Sequence, residues 1–219
     1  VLPYWISQLV GGFVGAAVVL WVYHNSITAY DTAAAAGNPA PVMVNSHTNA
    51  TFSIFATFPS PAFHGSPGGP LLDQVIGTLL LVLCIVAVID SRNMSVQGNL
   101  GPFIIGLVVA AVGMSFGANA GYAINPARDL GPRLLAWAGG WGKLAVPGTL
   151  PTPGGWTGYM WVPIVGPLIG GVIGVVLYDL IIGNALHARE KLAELQGDDG
   201  APNDEEDPHV EGPDVAGLS

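Results

Sequence analysis

Two arginines, an aspartate, an asparagine and two prolines crowd into residues 121–133, Gly-Tyr-Ala-Ile-Asn-Pro-Ala-Arg-Asp-Leu-Gly-Pro-Arg, within one of the most apolar parts of the chain. An ion at bilayer depth costs from roughly 3 to more than about 10 kcal/mol, so a charged residue there is by default a functional one. The order of residues supplies a mechanism. Asn125 suits a helix N-cap, Pro126 suits the first helical position because its missing N–H would be unpaired there anyway, and Ala127 continues the helix. The glycine-punctuated residues before Asn125 then lie outside helix, which a membrane tolerates only where protein buries the backbone or where it lines a watery cavity. The stretch reads as a half-helix. Its first N–H groups and the Asn125 amide are donors at the positive end of the dipole. The carbonyls of Gly121, Tyr122 and Ala123 are acceptors on one wall, and Arg128 is a fixed cation. Such a constriction repels cations and still admits a neutral hydroxyl.

The elements that position this segment are membrane spans. Of 219 residues, 51% are hydrophobic and 10% charged, against about 25% charged in a soluble domain. The formal net charge of −9 is uneven: ten of the fifteen acids fall in the last thirty residues. Apolar runs at residues 3–23, 71–89, 102–116 and 161–182 are expected to cross the bilayer, with the half-helix over 126–137; about 20 residues cross a hydrocarbon core. The fold class is an all-α polytopic membrane protein. A long loop is expected over 24–70 and a Gly/Pro/Trp-rich one over 139–159. Glycines one turn apart, Gly11 with Gly15, Gly113 with Gly117, and Gly166 with Gly170 and Gly174, predict close helix packing. Asp73 and Gln74 enter the second span, and Asp73 either faces protein or lies at the headgroups. Residues 1–188 form the membrane domain. Residues 189–219 form an acidic tail, helical at first to residue 196 and then disordered.

Lys and Arg favour the cytoplasmic side. The 24–70 loop has neither, whereas Arg92, Arg189 and Lys191 follow spans, so the loop is expected outside, the tail in the cytoplasm, and the chain in a plasma or inner membrane. Enzyme chemistry is not expected. His24, His47, His64, His187 and His209 show no paired metal spacing, the glycines of the last span lack the strand and the Lys-Ser/Thr of a nucleotide loop, and no cofactor or nucleic acid is implied. Cys84 has no partner for a disulfide. Asn49-Ala50-Thr51 is either a glycosylation acceptor or a chance match, and Asn38-Pro39-Ala40 reads as a coincidence of a Pro/Ala-rich loop.

These residues resemble the major intrinsic proteins, and among them the aquaglyceroporins. The resemblance is carried by residues 121–133, by Ala138-Gly139-Gly140-Trp141-Gly142, by Ile54-Phe55-Ala56-Thr57-Phe58-Pro59, by Asp73-Gln74 and by Val162-Pro163-Ile164-Val165-Gly166-Pro167. It implies an aquaporin-like right-handed bundle of tilted helices, a passive channel for glycerol and small neutral solutes with water, and a homotetramer in a lipid bilayer. It gives Asn125, with Pro126 and Ala127, the central donor role and Arg128 and Tyr122 the outer filter. Gly113 takes the place where water-specific members carry a histidine, and Asp129, Arg133, Gln74, Pro167 and Leu168 are supporting positions of the glycerol branch.

The family's inverted repeat has six spans and two half-helices. This chain matches it from the third span onward, and Val1 leads straight into an apolar run without an initiator methionine. The expectation is therefore four spans and one half-helix, an N-terminal part missing, and no conduction by this chain alone. Two further classes stay open: a secondary transporter with a broken helix, and a non-conducting membrane scaffold.

Overall fold

The computed structural model describes residues 1–37, 39, 41–93, 96, 98–151 and 155–198. Asn38 and Ala40, and the acidic residues after 198, lie outside them. Helix α1 (Leu2–Ala35) is about 50 Å long at 1.5 Å per residue, well beyond a core of roughly 30 Å. The expected loop at 24–35 is therefore helix. Its Ala, Ser and Thr content reads as loop by composition, yet alanine is the best helix former, and Ile27 and Asp31, one turn apart, are each 3% exposed.

What buries Asp31 is the loop that follows. Strands β1 (Met43–Val44) and β2 (His47–Thr48) form an antiparallel hairpin through Asn45 and Ser46, both at positive φ, as a tight hairpin turn requires. A one-turn helix α2 (Asn49–Phe52) follows, capped by Thr48. The Asp31 carboxylate accepts from Thr48 N–H at 3.0 Å, Thr48 Oγ1 at 2.7 Å and Thr51 Oγ1 at 3.0 Å, and His47 Nδ1 lies 2.8 Å away. His47 also stacks on Trp141, ring centroids 4.0 Å apart, and Trp141 Nε1 donates to Thr51 Oγ1. In Asn49-Ala50-Thr51 the Thr51 hydroxyl is buried and committed to Asp31.

Helix α3 (Gly68–Ile89) starts three residues before the expected span, and α4 (Gly101–Ala120) runs four residues past it, to Gly121. The half-helix α5 (Pro126–Ala136) begins and nearly ends as the sequence predicts. Helix α6 (Val162–Tyr178) passes through a π turn, Asp179–Gly183, into α7 (Asn184–Asp198), so residues 189–198 of the expected tail are helical. Four helical stretches are long and apolar enough to cross a membrane, Leu2–Ala35, Gly68–Ile89, Gly101–Ala120 and Tyr159–Gln196. At the end of the bundle away from the hairpin, Arg92 grips Asp90 at 3.0 and 2.8 Å and Tyr178 Oη donates to it at 2.9 Å. The Arg92 hydrogen bonds hold the Asp90 carboxyl well below the usual carboxylate range.

Bare backbone sets two of the helix contacts. On α6, a Cβ at Gly166 would lie 2.7 Å from Gln74 Cβ and one at Gly174 2.7 Å from the Leu79 carbonyl, and one at Gly170 would run into the Val75 carbonyl. The α6 glycine face therefore packs on α3. Between α1 and α5, however, the contact residues are Gly12 and Gly131, where a Cβ at Gly131 would lie 2.7 Å from the Leu9 carbonyl. Gly11 and Gly15 have no atom within 4 Å of an added Cβ. One residue on a helix turns the contact by 100°, which spacing alone does not locate. Gly131→Ala should cost about 1–3 kcal/mol by forcing α1 from α5, while Gly11→Ala should be near neutral. Thermal unfolding of the two variants in detergent checks this, and equal shifts would mean that Gly131 does not set the contact.

Candidate functional site

The site grows from a helix that stops and another that starts. Helix α4 ends at Gly121, whose φ of +83° is left-handed. A Cβ there would also lie 2.8 Å from Thr57 Cβ, so glycine is required twice over. Tyr122 and Ile124 follow at φ of +38° and +46°, conformations that cost a non-glycine residue about 1–3 kcal/mol unless the surroundings fix them. Gln74 fixes them. Its side chain is fully buried on α3; Nε2 donates to the Ala120 carbonyl at 3.2 Å and Oε1 accepts from Ile124 N–H at 3.0 Å. Tyr159 Oη donates to the same Ala120 carbonyl at 3.3 Å, and Ile124 packs against Val112 and Phe116. Among the described residues no hydrogen bond goes to the carbonyls of Gly121, Tyr122 or Ala123.

Asn125 then caps α5 in extended conformation, its Oδ1 accepting from Ala127 N–H at 2.9 Å and Arg128 N–H at 3.3 Å. With the oxygen taken, the amide nitrogen is the free end, and no acceptor among the described residues meets it. Asn125 lines a cavity of about 270 Å³ between Trp5 and Leu9 of α1 and Ile164 and Leu168 of α6. Pro126 and Ala127 line the same cavity, whereas Pro167 is buried within α6.

Arg128 lines a second cavity, of about 300 Å³, with Gly12, Gly15 and Phe55. Its guanidinium carbon stands 5.5 Å from the centre of the Tyr122 ring. That ring lies flat over α4: a Cβ at Gly113 would be 3.4 Å from it and one at Gly117 2.8 Å. The Gly113 and Gly117 spacing thus makes room for an aromatic side chain, where close packing of helices was expected. Tyr122, Arg128 and Gly113 do come together.

Asp129 and Arg133 point the other way, into protein, with 1% and 0% exposure. Asp129 Oδ1 accepts from Arg133 Nε at 2.7 Å, and Oδ2 accepts from Thr57 N–H at 2.7 Å and Thr57 Oγ1 at 2.6 Å. Arg133 further donates to the carbonyls of Thr57 at 2.7 Å and Ala145 at 3.2 Å, between the rings of Phe52 and Tyr159. Asp73 faces protein as well: it is buried, accepts from Asn119 Nδ2 at 3.2 Å, and its second oxygen has no partner among the described residues. Sequence reasoning missed Thr57, Asn119 and Tyr159 as holders of the site. Only Thr57 carried a signal, its place in the 54–59 stretch. No group of three His, Cys, Asp or Glu among the described residues could hold a metal ion.

A capped half-helix that starts inside a bundle of apolar helices, after a bend clamped from one side, defines a membrane protein of the re-entrant-helix class. The chain belongs to the major intrinsic protein family, which it matches over residues 1–178, a family of channels and not of enzymes. It is 40% identical over 181 residues to Aquaporin-9 of Mus musculus, covering 82% of this chain and 56% of that protein. It is 36% identical over 186 residues to the glycerol uptake facilitator protein of Haemophilus influenzae, covering 85% and 66%. The X-ray structure of the aquaglyceroporin from Plasmodium falciparum superposes with a TM-score of 0.65 at 29% identity, over 84% of this chain and 65% of that one. The chain spans little more than half the length of Aquaporin-9.

Gln74→Leu removes both clamps on residues 121–124. The expected result is faster amide exchange at Ile124, about tenfold or more, for a loss of about 1–3 kcal/mol, with α3 and α6 protection unchanged. Gln74→Glu, which keeps the acceptor and loses the donor, should fall between. Wild-type exchange at Ile124 in Gln74→Leu would mean that the bend holds without Gln74.

Proposed function

We propose that this chain carries the filter-bearing part of a passive channel for glycerol and other small neutral solutes, with water. The observation that carries the reading is a run of polar groups that have no hydrogen-bond partner among the described residues: the carbonyls at 121–123, the Asn125 amide nitrogen and, beside Tyr122, the Arg128 guanidinium, with Asn125 and Arg128 each lining a cavity. Donors and acceptors can replace a polyol's hydration while Arg128 and the half-helix dipole repel cations and protons. Tyr122 and the apolar side chains of the cavity suit the carbon face of the solute. Gly113 leaves the outer opening wide, and Pro167 and Leu168 shape the α6 wall.

Trp5 and Leu168, on either side of the Asn125 cavity, are about half exposed, so the opposite wall of a closed pore comes from outside residues 1–219, and this chain alone does not conduct. The hairpin end faces outside and α7 the cytoplasm of a plasma or inner membrane, since Arg92, Arg189 and Lys191 lie on the α7 side. Assembly is as a homotetramer in the bilayer, as the family resemblance implies. A secondary transporter would need a carboxylate free to couple an ion near the break; Asp129 is consumed by Arg133 and Thr57, and Asp73, with one oxygen unpartnered among the described residues, is buried and lines neither cavity.

In proteoliposomes holding the full-length protein, glycerol should equilibrate at a rate independent of any ion gradient. Gradient dependence would favour a transporter, and no flux would favour a scaffold. Residues 1–219 alone should give no flux. Arg128→Ala should let ions or larger polyols through, and unchanged selectivity would remove Arg128 from the filter. Gly113→His, whose side chain meets the Tyr122 ring, should slow glycerol more than water in stopped-flow swelling; equal slowing would place Gly113 away from the solute.

A further inference from the structure

Helix α5 carries two arginines and one aspartate, and the carboxylate goes to the more distant arginine. Neighbours in a helix point about 100° apart, while residues four apart share a face. Asp129 therefore turns its back on Arg128 and meets Arg133, and its two oxygens are filled by three donors, Arg133 Nε, Thr57 N–H and Thr57 Oγ1. Arg128 has no hydrogen-bonded anion among the described residues and opens on the 300 Å³ cavity. A buried ion pair is a poor way to gain stability, because apolar residues of the same volume often serve as well or better. Its presence one residue from the half-buried Arg128 calls for another account.

We propose that Arg133 determines ion selectivity without touching the solute. By neutralising Asp129 it keeps Arg128 the uncompensated charge at the mouth, and by holding the Thr57 and Ala145 carbonyls it fixes the two loops beside it. Arg133 is thus a positioning residue, and the assignment rests on the channel reading above.

The test measures potassium and glycerol permeability together in proteoliposomes of the full-length protein. With Arg133→Met the carboxylate is left as the nearest anion to Arg128, and the potassium-to-glycerol ratio should rise by about tenfold or more at the effective dielectric of such sites. In the Asp129→Asn/Arg133→Met double variant both charges are gone, and the ratio should return to within about twofold of wild type. Arg133→Lys keeps a cation for Asp129 and loses the fork to Thr57 and Ala145; it should exclude potassium like wild type while unfolding at lower temperature. A wild-type ratio in Arg133→Met, or a double variant that leaks, overturns the proposal and leaves the pair a structural clamp. If Arg133→Met does not assemble, the double and Arg133→Lys decide alone, exclusion in both supporting the proposal and leakage in either overturning it. Absence of gradient-independent glycerol flux in wild type is a separate result that defeats the channel reading itself.

Discussion

Four residues of non-helical backbone deep in an apolar protein have to be paid for, and Gln74 is the residue that does it. A buried primary amide has a donor and an acceptor side, and here the two reach the last carbonyl of α4 and the N–H of Ile124. The bend is satisfied from the protein side only, which leaves the carbonyls of residues 121–123 without partners on the other. In lipid each such group would cost several kcal/mol, so unpaired carbonyls at that depth imply water or a polar solute against them. A glutamate in place of Gln74 could accept from Ile124 but not donate to Ala120, and a leucine could do neither. The geometry of the path therefore follows from one side chain on a neighbouring helix.

That side chain is positioned by glycine. Gly166 lets α6 approach within contact of Gln74 Cβ, and the Gly170 and Gly174 backbone continues the same approach along α3. Without water to drive apolar helices together, close backbone contact is what membrane packing has to work with. The α5 half-helix is also held against α1, where its Gly131 packs on the backbone of Leu9 and Gly12. It has 11 residues, short for a stable isolated helix, so its rigidity is that of the helices it touches.

The spans, the cap at Asn125 and the significance of Arg128 were legible because each follows from a local rule: apolar run length, cap chemistry, the rarity of buried charge; the place of Tyr122 beside Arg128 came from the family resemblance. The α6 glycine face was legible for the same reason, a period of four. The helical nature of residues 24–35 was not, because what stabilises that turn is Asp31, and its partners His47, Thr48 and Thr51 lie up to 20 residues away. The spacing of Gly113 and Gly117 predicts helix packing, while the resemblance sets Gly113 at the filter; the Tyr122 ring lies against both, and spacing alone does not say whether bare backbone admits a helix or a ring. The sequence left Asp129 between Arg128 and Arg133; helical phase favours Arg133, four residues on, but the third participant, Thr57, stands 72 residues away, and only the fold brings it in.

Charge at the hairpin end is then sorted by burial. Asp31 and Asp129 are each enclosed by donors, and Asp73 by Asn119 on one oxygen. These acids are therefore withdrawn from any solute, and they serve to tie loops to helices: Asp31 fastens the hairpin to α1, Asp129 fastens Thr57 to α5. Arg128, on the contrary, is left facing a cavity. At this end the buried acids have donors against them while Arg128 lines a cavity, and the field in that cavity depends on which charges are compensated and not on how many there are. The net charge of −9 thus says little about the path. Ten of the fifteen acids fall beyond residue 189, past α6 and at least 62 residues from Arg128 in sequence.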